Sequence, residues 1–274
     1  MTSDDLELGE SFLFLLHRHV INIMCVDRGT EAMARQGGRP AIYNFSAFVV
    51  EVSDRWFAIS AGHIFRELKL AVDAGAKLSD WQIDDSIVAS KPKDGYPIAL
   101  NIEQDVLYLF DEPAGIDYAY IEISYLARQA LCKEGICAIP ESIWGAEDVA
   151  EFTMWLLVGT PLQFAELAAG KPIVKNHATI QIDRVADIPV GLETTEFQRL
   201  YAKINFKSVQ EPGTHFNIGG MSGGPIFGLR PTTNSVPYDY RLIGVQSSWN
   251  RNDHVAICAA YPFIKAISSR FTPT

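Results

Sequence analysis

Short segments of the strand type fill most of this chain. AFVVEV (47–52), WFAISA (56–61), DVLYLF (105–110), DYAYIEI (117–123), TMWLLVG (153–159), ATIQIDRV (178–185), RLYAKINF (199–206), RLIGVQSSW (241–249) and HVAICAAY (254–261) are rich in β-branched and aromatic residues. Such side chains fit a pleated, half-buried surface. Several segments alternate apolar and polar residues, as ATIQIDRV does, which suits a sheet with one face in water. Long helices do not alternate with them, so a parallel α/β architecture is disfavoured. Helical spacing is confined to ESFLFLLHRHVI (10–21), IFRELKLAVDAGAKL (64–78) and PFIKAISSRF (262–271), the last with Pro262 in a first turn. Between 126 and 150 the strand rhythm breaks, at a stretch carrying Gly135, Pro140 and Gly145. The reading is an all-β chain in two halves, a pair of barrels or sandwiches. Residues 1–40 form an N-terminal extension with a helix, 41–140 the first half, and 141–274 the second half with a terminal helix.

Composition excludes several function classes. The net charge of −10, without any basic run, argues against nucleic acid, whose binding leans on Lys and Arg. The longest apolar stretches, FLFLL (12–16) and AICAAY (256–261), fall far short of the roughly 20 residues of a membrane span. The first ten residues, MTSDDLELGE, begin with Met, are acidic and lack the cationic start of a secretory signal. Of the four cysteines, at 25, 132, 137 and 258, only Cys132 and Cys137 are near one another, and no second Cys/His pair lies nearby to complete a zinc site. They read as reduced structural thiols. The expectation is a cytoplasmic protein with no metal and no membrane or nucleic-acid partner.

One stretch carries chemistry. NIGGMSGGPIFG (217–228) places five glycines around Ser222. Glycine loses more conformational entropy on folding than any other residue, so such a cluster needs a reason. A tight turn between strands would be sufficient. The sharper reason is a backbone that bends hard and exposes N–H groups beside a reactive hydroxyl. A serine hydroxyl is a weak nucleophile unless a base takes its proton and a third group holds the base. The oxyanion formed on attack needs donors as well. Among the six histidines, His63 ends an apolar strand in AISAGHI. His17 and His19 read as a solvated or half-buried pair in the first helix, and His177, His215 and His254 flank strands. Asp117 opens a strand in GIDYAYIEI, with Asp105 and Asp111 as competitors.

AISAGHI, IDYAYI and GMSGGP occur in the order His, Asp, Ser. Together they resemble a trypsin-like (chymotrypsin-fold) serine peptidase of the non-secreted, bacterial type. The resemblance spans about 40 to 270, and GMSGGP matches the family's GxSGGP turn at every fixed position. It implies two antiparallel six-stranded Greek-key β-barrels, a C-terminal helix and a site in the cleft between the barrels. It also implies Ser222 as nucleophile, His63 as base, Asp117 as the orienting carboxylate, and the N–H groups of Gly220 and Ser222 as the oxyanion hole. Substrate side chains would meet Phe216, Ser247, Ser248 and Trp249. The activity implied is hydrolysis of peptide bonds in a protein or peptide through an acyl-enzyme, with no cofactor. A catalytically silent or latent fold acting as a protein-binding module is the alternative.

Two departures from the family bear on regulation. Ile64 stands where secreted members carry a disulfide-bonded cysteine. Met221 stands where members activated by propeptide cleavage carry an Asp that pairs with the new N-terminus. The turn must then be ordered by other contacts or by a regulatory protein partner. No acidic residue falls at the expected pocket base, so a preference for Lys or Arg is not supported.

Overall fold

The computed structural model describes residues 3–84, 98–102, 106–144, 149–161, 165–166, 174–175, 177–192, 195–197, 199–205, 217–232, 238–250 and 254–271. Helix α1 (Ser3–His17) leads into β1 (Val20–Asp27), a short α2 (Thr30–Arg35), then β2 (Ala41–Val52) and β3 (Arg55–Ser60). Helix α3 (Gly62–Asp73) follows, then β4 (Leu78–Asp84), β5 (Ile98–Ala99), β6 (Val106–Asp111), β7 (Ile116–Ile123) and α4 (Tyr125–Lys133). The second half carries β8 (Met154–Gly159), β9 (Ala165–Glu166), β10 (Val174–Lys175), β11 (Ala178–Val185), β12 (Arg199–Ile204), β13 (Pro225–Pro231), β14 (Tyr238–Trp249), β15 (His254–Ala259) and α5 (Ala260–Phe271).

The chain is all-β with a C-terminal helix. In the second half β11-β12-β15-β14-β13-β8 closes into a six-stranded antiparallel barrel, as the resemblance implies. The first half differs from a second six-stranded barrel. Its described strands form a seven-stranded antiparallel sheet in the order β5-β4-β1-β2-β3-β7-β6. The extra strands have an identifiable source. β4 and β5 lie in the long connection after His63, and β4 pairs along β1. Residues 1–40 are not all an extension either. Val20 and Ile21, read as the end of a helix over 10–21, open strand β1, paired with β2 from Val20↔Phe48 to Asp27↔Ala41. The β-branched Val20, Ile21 and Ile23 suit that pairing, and burial on the sheet outweighs the helical spacing of the run before them.

Three buried clusters explain the long apolar runs. Along β2 and β3, Ala47, Val49, Trp56 and Ala58 face the interior of the first sheet, while Phe48, Val50, Phe57 and Ile59 face the opposite way. That opposite face packs with Leu156, Val158, Phe227 and Val245 of the barrel, with Phe12 and Leu16 of α1 and with Phe263 and Ile267 of α5. Trp155, Leu157, Ile180, Ile226 and Ile257 fill the barrel. Strands that alternate between two cores read as unbroken hydrophobic sequence, since successive side chains point to opposite faces. Residues after α4 tie the halves together: Ile139 bridges to Val50 in β2, and Trp144 to Leu242 in β14.

All four cysteines are free, and among the described residues no helix is long and apolar enough to cross a membrane.

His19 departs from the expected solvated or half-buried pair. It follows α1 and is buried at the junction of the halves, with Nδ1 donating to the Cys137 carbonyl at 2.8 Å and Nε2 accepting from the Tyr240 hydroxyl at 2.9 Å. Burial lowers its pKa to about 4, helped by the Arg18 charge and opposed by the bond to Cys137. Burial also lowers that of His17 to about 4. A folded-state pKa below the ordinary 6.5 means the unfolded chain binds the proton more tightly. The stability that these two neutral histidines contribute is therefore full above pH 6.5 and is lost as pH falls toward 4, by about 3 kcal/mol for His19 alone. Urea midpoints measured between pH 7 and pH 4 should fall across that window, and Tyr or Phe at position 19 should flatten the slope. A midpoint constant with pH would refute the assignment.

Candidate active site

β3 ends at Ser60 and the chain turns at once into α3, which puts His63 in the first turn of a helix. Gly62 makes the approach possible: a Cβ there would stand 2.2 Å from the Leu109 carbonyl oxygen and 2.9 Å from that of Tyr118. The helix start is thus pressed onto β6 and β7, where Asp117 lies. The first N–H groups of a helix have no intrahelical acceptor. Asp117 takes one of them, with Oδ1 accepting the His63 N–H at 2.7 Å. Its other oxygen, Oδ2, lies 2.9 Å from His63 Nδ1 and also accepts the Ser247 hydroxyl of β14.

Asp117 is 1% exposed, so its charge depends on these donors. Burial alone would raise its pKa. The His63 side chain and its charge, the Ser247 hydroxyl and the His63 backbone N–H together outweigh burial, and the carboxyl stays below its ordinary value. For His63, burial lowers the pKa, but the bond and charge of Asp117, with the Glu67 charge, leave it raised above 6.5. An ionised Asp117 can only accept, so it fixes the proton of neutral His63 on Nδ1 and leaves Nε2 free as a base. The His63 side chain is 20% exposed, with Phe110 against it at 6.4 Å between centroids and the Arg66 guanidinium 4.1 Å above the Phe110 ring.

The Ser222 turn comes from the other half and packs beside the end of β3. Gly223, at φ 86°, has no room for a side chain. A Cβ would fall 2.1 Å from Ser60 Oγ, 2.5 Å from the Ser46 carbonyl oxygen and 2.9 Å from Ala61 N. The residue after Ser222 thus lies against the segment that precedes His63. β14 joins the two parts, because the Gln246 carbonyl accepts the Gly223 N–H at 2.9 Å while the next residue, Ser247, bonds Asp117. Among the described residues, Ser222 Oγ makes no hydrogen bond.

Backbone donors in the turn can be traced one by one. Gly219 N–H goes to Asn217 Oδ1 at 2.8 Å, Met221 to Ile218 O at 3.0 Å, Gly223 to Gln246 O at 2.9 Å and Gly224 to Met221 O at 2.8 Å. Within 219–224, the N–H groups of Gly220 and Ser222 are the two that make no bond to any described residue.

Of the expected pocket residues, Ser247 is buried with its hydroxyl engaged by Asp117, Ser248 is half-buried, and Trp249 is 39% exposed at the end of β14. Phe216, Asp105 and His215 lie outside the described residues. Asp111 accepts the Ala114 N–H at 3.1 Å, and it is Asp117 that bonds His63. Sequence reasoning missed Ser60 and Ser46, which pack against the turn. The available signal was faint, a small polar residue inside the apolar run FSAFVV.

These features define an all-β chain in two halves with a histidine–carboxylate pair on one and a glycine-rich serine turn on the other, meeting at their junction. No family model matches the chain, and no curated protein does. Among solved structures it is similar to the protease Anisep from Arthrobacter nicotinovorans, at 15% identity over 88% of this chain and 90% of that one, with a TM-score of 0.48. It is similar also to the Rv3671c protease in an inactive form, at 10% identity over 97% and 95% with a TM-score of 0.45. A third is the thermostable serine protease AL20 from an extremophilic microorganism, at 12% identity over 92% and 97% with a TM-score of 0.48.

Proposed function

We propose that this protein is a serine endopeptidase in which Ser222, His63 and Asp117 act as a triad. The observation that carries the reading is the bond of His63 Nδ1 to a buried, ionised Asp117, beside a segment against which the Ser222 turn is packed. Ser222 Oγ attacks the carbonyl carbon of the peptide as His63 Nε2 takes its proton. The imidazolium so formed is stabilised by Asp117. The unbonded N–H groups of Gly220 and Ser222 suit the developing oxyanion, since donors already oriented need no reorganisation during the reaction. His63 then gives the proton to the leaving amine, an acyl-enzyme remains on Ser222, and water activated by His63 releases the acid. Catalytic hydrogen bonds often tighten only when substrate binds, so the mechanism does not require Ser222 Oγ and His63 Nε2 to be bonded beforehand.

The test is covalent labelling with a fluorophosphonate probe. Wild type should label, and Ser222→Ala and His63→Ala should not. If wild type stays unlabelled while folded, the site is silent or latent and the fold acts as a protein-binding module.

A further inference from the structure

Ser46 is the polar interruption of the apolar run FSAFVV in β2, and its burial is complete. A buried hydroxyl costs free energy unless it is bonded, and this one is bonded twice across the junction of the halves. It donates to the Gly220 carbonyl at 3.0 Å and accepts the Thr160 N–H at 2.9 Å. The Ser46 carbonyl accepts the Ser60 hydroxyl at 2.8 Å and abuts Gly223. One residue of the first half thereby touches the nucleophile turn two positions before Ser222 and one position after it.

The peptide between Gly220 and Met221 is then held at both polar ends. Its carbonyl is bonded by Ser46 and its N–H by Ile218 O. With that peptide unable to rotate, the Gly220 and Ser222 N–H groups on either side keep a fixed direction. The Met221 side chain adds a second anchor. It is buried in the barrel core beside Gly159, where an ion pair with a new N-terminus has no place.

We propose that Ser46 is a positioning residue that locks the oxyanion turn from the opposite half of the molecule, so that the chain is competent without N-terminal cleavage or an activating partner. The proposal rests on the hydrolase reading above. Ser46 touches no reacting atom and acts through the Gly220 carbonyl.

The experiment uses the full chain with p-nitrophenyl acetate, whose hydrolysis needs no knowledge of the natural substrate. Fluorophosphonate labelling gives the fraction of active enzyme. Uncleaved wild type should turn over alone. Removing an oxyanion donor outright costs about 10²- to 10³-fold in kcat. Ser46→Ala, which leaves the donors but frees the turn, should lower kcat roughly tenfold to a hundredfold and leave KM within about twofold. Ser46→Thr, which keeps the hydroxyl, should recover most of the rate. A merely structural role would reduce the labelled fraction and the melting temperature but not kcat per labelled site. Should Ser46→Ala fail to fold, Ser46→Cys, close in size and a weaker donor, is read in the same way. Wild-type kcat in the variant, with Ser222→Ala inert, overturns the positioning role and leaves the triad standing. Ester hydrolysis indifferent to Ser222→Ala in wild type overturns the triad itself.

Discussion

Asp117→Asn is expected to leave the fold intact and to lower kcat/KM by about 10⁴-fold. Three donors converge on Asp117: the His63 N–H, His63 Nδ1 and the Ser247 hydroxyl. An asparagine has one oxygen and one NH₂ in their place. Its oxygen can keep the backbone N–H of His63, which preserves the start of α3. Its NH₂ then faces Nδ1 as a donor, and the imidazole must present a lone pair there. That places the ring proton on Nε2, where it cannot accept the Ser222 proton. The Ser247 hydroxyl can rotate to accept, so the stability loss should be modest while the chemistry is lost. Steady-state kinetics on an ester substrate together with a thermal melt separate the two. Near wild-type turnover by a folded Asp117→Asn would mean that His63 is not the base, or not oriented from Nδ1.

Gly223→Ala should damage stability and activity together. Its φ of 86° costs an L-residue about 1–2 kcal/mol. The added Cβ meets Ser60 Oγ at 2.1 Å and the Ser46 carbonyl at 2.5 Å, and overpacking of this kind adds roughly 1–3 kcal/mol. Backbone listens to the clash as well as side chain, because the 2.9 Å contact is to Ala61 N, two residues before His63. Relief requires the Ser222 turn to withdraw from the His63 segment. The denaturation midpoint should fall by an amount equivalent to roughly 2–5 kcal/mol, and the folded remainder should not label with fluorophosphonate. Normal labelling would show that the close contact of the two segments is dispensable. Gly219→Ala, where only the Asn217 side chain comes near, is the matched control.

Much of the fold was legible because local chemistry and tertiary structure agree there. WFAISA, DYAYIEI and TMWLLVG read as strands and are strands, since β-branched and aromatic residues buried on two faces leave little alternative. A helix beside His63 and the terminal helix were legible too, although the first runs from Gly62 to Asp73 rather than over 64–78 and Leu78 already opens β4. VINIMC was not. A helical run precedes it without a break, and only pairing with β2 and β4, strands distant in sequence, draws it into the sheet. Nor does local sequence show that part of the connection after His63 widens the first sheet, since β4 and β5 find their places only by pairing along β1.

The sequence by itself determined the all-β class, the candidate residues His63, Asp117 and Ser222, and the glycines that let a serine turn bend so tightly. Each of these follows from residue type and from neighbours a few positions away. Tertiary structure alone decided that Ser247 bonds Asp117 from a position read as pocket wall, and that Ser46 holds the Gly220 carbonyl across 174 residues of chain. Hydroxyls of this kind carry no local pattern. Their partners are chosen by which strands meet at the junction of the two halves, and burial there makes each bond obligatory.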